Sequence, residues 1–137
     1  MSSAAESDFV SKRAANRCEY CQSPAAFATQ SFEVEHIEPK SKGGPTRPEN
    51  LALSCGGCNR KKYTATHALD PLTLTLSPLF HPRKHQWQYH FRWSADFLTI
   101  IGITAIGRAT VARLELNRKP LQNLRMALIA IDRHPPQ

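Results

Sequence analysis

The residues able to do chemistry gather between positions 18 and 62 of this 137-residue chain. Cys18-x-x-Cys21 and Cys55-x-x-Cys58 are two identically spaced pairs, the pattern of four thiolates around a tetrahedral zinc ion. A redox pair or buried structural cysteines are the alternative readings. Glu35-His36 and Asn50 lie between the pairs, and Asn59 follows the second one directly. A histidine can take a proton from water near neutral pH. A hard divalent cation held by oxygens, here the Glu35 carboxylate and the Asn59 amide, polarises a phosphate and supports its leaving oxygen. Those are the parts that hydrolysis of a phosphodiester needs. A closed four-cysteine site has no open position, so the zinc cannot be that cation and two different metals are implied.

Local structure must bring these groups together. Weak alternation over Phe27–Ile37 predicts a strand that stops before Pro39. Two glycines and two prolines in SKGGPTRP (41–48) predict a loop, and Leu51-Ala52-Leu53 a second short strand. A helix is expected from near Gly57 through Lys62 towards Ala65. Neighbours on a regular strand point to opposite faces, so Glu35 and His36 share one site only if the strand ends or twists there. Upstream, Ser7 or Asp8 can cap a helix running to about Asn16. Downstream, Asp70-Pro71 is expected to break the chain. Trp87, Tyr89, Phe91 and Trp93 alternate on one strand face, and Phe97–Ile103 reads as the partner strand of a hairpin. A helix capped by Thr104 and another starting at Pro120 follow.

At this length one domain is expected over residues 1–137, with a core at about 18–66 and an extension at about 78–133 packed on it. Hydrophobic residues make up 41% and charged residues 21%, as in globular proteins. No run of about 18 apolar residues predicts a membrane span. The N-terminal stretch lacks the apolar core of a signal peptide, so a cytoplasmic location is expected. The net charge of +7 favours a polyanionic partner, because each neutralised phosphate releases condensed counterions. Composition does not decide the oligomeric state.

The ordered motifs E-H-I-x-P-x-S-x-G-G and E-N-L-x-L-x-C-x-x-C-N-x-x-K resemble the HNH endonuclease family over Cys18 to about Lys62. The resemblance implies an α+β fold with a ββα-metal core, a four-cysteine zinc staple, and here a C-terminal β-hairpin and two helices. It implies His36 as the general base, Glu35 as the acidic metal ligand, and Asn50 as the middle asparagine that orients the histidine. Asn59 stands where many members carry a final histidine, which makes this an H-N-N variant. Asparagine can still ligate magnesium. Glu at position 35, where Asp or His is more usual, is a milder departure. The activity implied is cleavage of DNA with magnesium or manganese. The C-terminal half resembles an extension found on one bacterial subgroup of the family.

Lys40, Lys42 and Arg47 in the loop and Arg60, Lys61 and Lys62 on the helix are candidate phosphate contacts; an ordinary solvated face is the plain alternative. His90 and Arg92, opposite the aromatic stripe, are further candidates, as are Arg83 and Arg108. The stripe itself reads as core beneath the last two helices rather than a base-stacking platform. A zinc-ribbon module that binds nucleic acid without cutting it is the competing functional reading.

Overall fold

The computed structural model describes residues 3–136, in which the chain forms two compact units. The first comprises the chain up to Thr66 together with His81–His85. The second comprises His67–Phe80 and the chain from Gln86 onward. Among the described residues the fold is a mixture of five α-helices and three two-stranded antiparallel sheets. No helix among them is long and apolar enough to cross a membrane.

In the first unit, α1 (Ala4–Arg13) starts three residues before the expected cap. Ser3 and Glu6 form a capping box, with Ser3 Oγ accepting from Glu6 N–H at 3.1 Å and the Glu6 carboxylate accepting from Ser3 N–H at 2.8 Å. The helix also ends earlier than expected, because Ala15 and Asn16 take positive φ. Val10 carries its buried face into a core with Leu51 and Leu53, joined by Ala14, Phe32 and Val34. The Arg13 guanidinium fastens α1 to the carbonyls of Pro48 (2.9 Å) and Leu51 (2.6 Å).

The expected strand from Phe27 is shorter. Ala25–Phe27 is a 3-10 turn, and β1 covers only Glu33–His36. It pairs antiparallel with β2 (Leu51–Ser54) in a register that sets Glu35 opposite Ala52 and His36 opposite Leu51. The connecting loop folds back tightly. Gly43 takes φ +87°, and a Cβ on Gly44 would sit 1.8 Å from the Glu38 carbonyl oxygen. Only glycine fits there. After β2, Cys55 caps α2 (Gly56–Lys62), its sulfur accepting from Cys58 N–H at 3.4 Å. The helix stops at Tyr63, which has φ 51°, short of the expected Ala65.

In the second unit, the expected break at Asp70 is the start of a turn. β3 (His67–Leu69) and β4 (Leu76–Pro78) pair across it. Asp70 accepts from Leu72 N–H at 3.0 Å and Thr73 Oγ1 at 2.8 Å, and the Arg108 guanidinium grips both carboxylate oxygens at 3.0 and 2.9 Å. The long aromatic strand is also corrected. Trp87–His90 is a helical turn, α3, and only β5 (Phe91–Trp93) is strand, paired with β6 (Ile100–Gly102). Helical phase turns Tyr89 outward, 66% exposed, whereas the Trp87 ring packs on Phe91 and Trp93 at centroid distances of 5.0 and 5.6 Å. Both expected helices form, as α4 (Ala105–Leu114), capped by Thr104, and α5 (Lys119–Ala130), with Pro120 in its first turn. Gly107 lets α4 approach the α3 backbone, since a Cβ there would lie 1.9 Å from the His90 carbonyl oxygen.

Candidate functional site

The two knuckles meet as their spacing requires. The sulfurs of Cys18, Cys21, Cys55 and Cys58 all lie within 4.8 Å of one another, and every one is buried. Cys21 and Cys55 are 3.7 Å apart. A disulfide needs about 2.05 Å, whereas zinc at about 2.3 Å from each of four tetrahedral sulfurs sets them roughly 3.8 Å apart. No disulfide joins the four cysteines, and as a donor set they fit zinc. Their neighbours pull them in opposite directions. Burial pushes Cys18 up, and hydrogen bonding from Cys18 pushes Cys55 down. Four thiolates at this spacing call for a cation to balance their charge.

The first knuckle reaches directly to the strands. Glu19 accepts from Leu53 N–H at 2.9 Å and pairs with Arg83. Arg83, a candidate phosphate contact, is therefore engaged inside the unit. Tyr20 is buried beside Cys18 and Cys58 and donates its hydroxyl to Glu35.

That contact shows where the two faces of β1 go. Glu33 and Glu35 share one face, two residues apart, and look towards α2. The Asn59 amide donates to Glu33, while Lys62 Nζ lies 3.2 Å from Glu35 and 2.8 Å from the carbonyl oxygen of Ile37. Glu35 is 5% exposed, and burial raises its pKa despite the attraction of Lys62. Asn59 therefore meets the carboxylate of Glu33 rather than that of Glu35, which is sealed by a phenol and an ammonium. Lys62, a candidate phosphate contact, is instead 1% exposed because it follows that carboxylate inward, so it is not presented to a phosphate backbone. Strand parity could have shown that Glu33 accompanies Glu35.

His36 lies on the opposite face. The strand does not twist enough to bring it beside Glu35; it lines a cleft of about 440 Å³ with Ser7, Ser11, Glu33 and Lys40. Burial first, and then the charge of Lys40, lowers its pKa, which favours the neutral ring. Its Nε2 is 2.8 Å from Thr46 Oγ1. Asn50 does not touch the ring. Its Oδ1 accepts from Glu38 N–H at 2.9 Å, and its Nδ2 donates to the carbonyls of Glu38 (3.0 Å) and Pro45 (2.8 Å). The expected orienting asparagine is thus spent on the loop backbone. No local pattern marks Thr46, a loop residue, as the partner.

Lys40, Lys42, Arg47, Arg60 and Lys61 are exposed around these elements, as phosphate contacts would be. In the second unit Arg92 is exposed, but His90 is half-buried, with Nδ1 2.6 Å from Thr104 Oγ1, and Arg108 is committed to Asp70. The alternation that put His90 beside Arg92 fails because His90 closes a helical turn.

No curated protein and no solved structure matches this chain. The family model described as HNH endonuclease matches residues 18–65. That span takes in both knuckles, β1, the glycine loop, β2 and α2. It points to nucleic acid as the partner. By this match, residues 18–65 are similar to the HNH endonuclease family.

Proposed function

We propose that the chain is a metal-dependent endonuclease that hydrolyses DNA phosphodiester bonds with His36 as general base. The observation that carries this reading is the position of His36, half-buried on a cleft it shares with Lys40. A neutral imidazole can accept a proton from water as the water attacks phosphorus, becoming imidazolium as it does so. Lys40 on the same cleft offers charge to a phosphate oxygen. Lys42, Arg60 and Lys61 supply the charge that holds a polyanionic backbone.

The Glu33 carboxylate and the Asn59 amide stand side by side with the amide nitrogen towards Glu33, and turning that amide over would bring its oxygen beside the carboxylate, a hard donor pair suited to magnesium or manganese. Glu35 would add a second carboxylate on the same face once Lys62 withdraws from it. Such an ion, when bound, polarises the phosphate and stabilises the leaving oxygen. The β1–β2–α2 order and the four-cysteine staple support a ββα-metal core.

The test is nicking of supercoiled plasmid with added Mg²⁺ or Mn²⁺. His36→Ala is expected to slow cutting by about 10²- to 10⁴-fold, the usual worth of a positioned base. Equal cutting by both proteins removes His36 as the base. One observation favours a second reading, a nucleic-acid-binding module without cleavage: the ion pair that seals Glu35. DNA retention on a gel with no cutting under either metal would select it.

A further inference from the structure

The imidazole that the proposed reaction depends on is held by a residue that neither the family motif nor the strand pattern marks. We propose that Thr46 is the positioning residue of His36, and that Asn50 acts one step behind it by shaping the loop that presents Thr46. The inference rests on His36 being the base.

The division of labour follows from counting donors. An asparagine amide has two N–H groups, and those of Asn50 go to the carbonyls of Glu38 and Pro45. Its oxygen takes the Glu38 N–H, and its backbone carbonyl takes the N–H of Ile37 at 2.8 Å. The side chain therefore has no N–H left for a ring. Pro45, one of the groups it grips, directly precedes Thr46, and Gly44, the residue before that, admits no Cβ against the Glu38 carbonyl. Together these clamps fix the backbone on both sides of position 45. They leave the Thr46 hydroxyl 2.8 Å from His36 Nε2.

Which imidazole nitrogen carries the proton is set by the hydrogen bond the other makes. With Nε2–H donating to the Thr46 oxygen, the lone pair is on Nδ1, the nitrogen that can then accept a proton from water. A hydroxyl also fixes the ring plane without placing a charge beside a phosphate site.

The experiment compares full-length wild type, Thr46→Val and Thr46→Ser, each checked for zinc content and circular dichroism. Thr46→Val keeps the shape and removes the hydroxyl, so the nicking kcat should fall about 10- to 100-fold with KM little changed, as for other partners that orient a functional side chain. Thr46→Ser should stay within about threefold of wild type, because it retains the hydrogen-bonding group. Two-bond ¹H–¹⁵N spectra should show His36 in the Nε2–H tautomer in wild type and in a mixture in Thr46→Val. Unchanged nicking by Thr46→Val overturns the proposal, as does an Nδ1–H tautomer in wild type. A Thr46→Ser protein as slow as Thr46→Val assigns the loss to packing and overturns it as well. Should wild type cut no DNA, the nuclease reading fails on its own. The spectra then decide the positioning claim, since an Nε2–H signature lost in Thr46→Val sustains it and identical spectra refute it. If Thr46→Val does not fold, the wild-type tautomer alone decides.

Discussion

Glu35 and Asp70 are both buried carboxylates paired with a basic side chain, one in each unit, yet the two pairs are built differently. Asp70 receives a two-pronged grip from Arg108, a backbone N–H from Leu72 and a hydroxyl from Thr73. These bonds hold its pKa well below the usual carboxylate range, with Arg108 the largest cause. Glu35 receives a phenol and one lysine nitrogen at 3.2 Å, and burial outweighs them, so its pKa rises. A guanidinium fork matches a carboxylate geometrically, whereas an ammonium is a point charge on a flexible stem. The first pair acts as a fastener for a hairpin. The second is a carboxylate held inside at a cost, beside residues that could hold a cation.

Metal removal is the largest perturbation expected. Chelation should withdraw on the order of 10 kcal/mol from a structural zinc site. Because Tyr20, between the cysteines of the first knuckle, reaches Glu35, the loss should spread to β1, β2 and α2. Hydrogen exchange followed by mass spectrometry should show protection collapsing there while the Asp70–Arg108 hairpin keeps its own. Equal loss in both units would erase the distinction. Next in size is Lys62→Met, which leaves Glu35 buried without a counter-charge and should cost about 3–5 kcal/mol in urea unfolding. Adding Glu35→Gln to it should recover most of that. A third perturbation, Arg108→Lys, keeps the charge and loses the fork. It should lower the thermal midpoint of the second unit, and no change would mean that geometry adds nothing to that pair.

The chemistry-bearing residue types were legible because they are few and their spacing is discriminating. Two C-x-x-C pairs predicted a four-sulfur cluster, and it forms. Strand parity correctly warned that Glu35 and His36 diverge, and the strand end near Pro39 did not overcome it. What was not legible depended on partners distant in sequence. Lys62 reads as one of three consecutive cations, and only its contact with Glu35, 27 residues away in sequence, explains its burial. Thr46 is a loop residue whose role comes from clamps on its neighbours. Trp87–Trp93 alternates well enough for a strand, yet its first turn is helical. Short apolar runs carry both periods, and the packing of α4 against the His90 backbone at Gly107 is a tertiary contact that the pattern does not contain.

The two carboxylates should also answer acid in opposite directions. For Asp70 the folded pKa is below the ordinary aspartate value of about 3.9, so its contribution is present above that value and is lost as pH falls from there through the depressed one. For Glu35 the folded pKa is above the ordinary glutamate value of about 4.3, so the folded state binds the proton more tightly than the unfolded chain. Ionisation then costs stability at neutral pH, and that cost is relieved as pH falls through the raised value towards about 4.3. The check is urea unfolding of wild type, Asp70→Asn and Glu35→Gln between neutral pH and the acid limit of folding. The advantage of wild type over Asp70→Asn should shrink below roughly pH 4, while its position relative to Glu35→Gln should improve before that point is reached. The slopes carry the comparison, not the offsets, because each substitution also removes hydrogen bonds that do not titrate. Parallel slopes would mean that Glu35 is held as firmly in its charged form as Asp70, and that the Lys62 contact is a fastener after all.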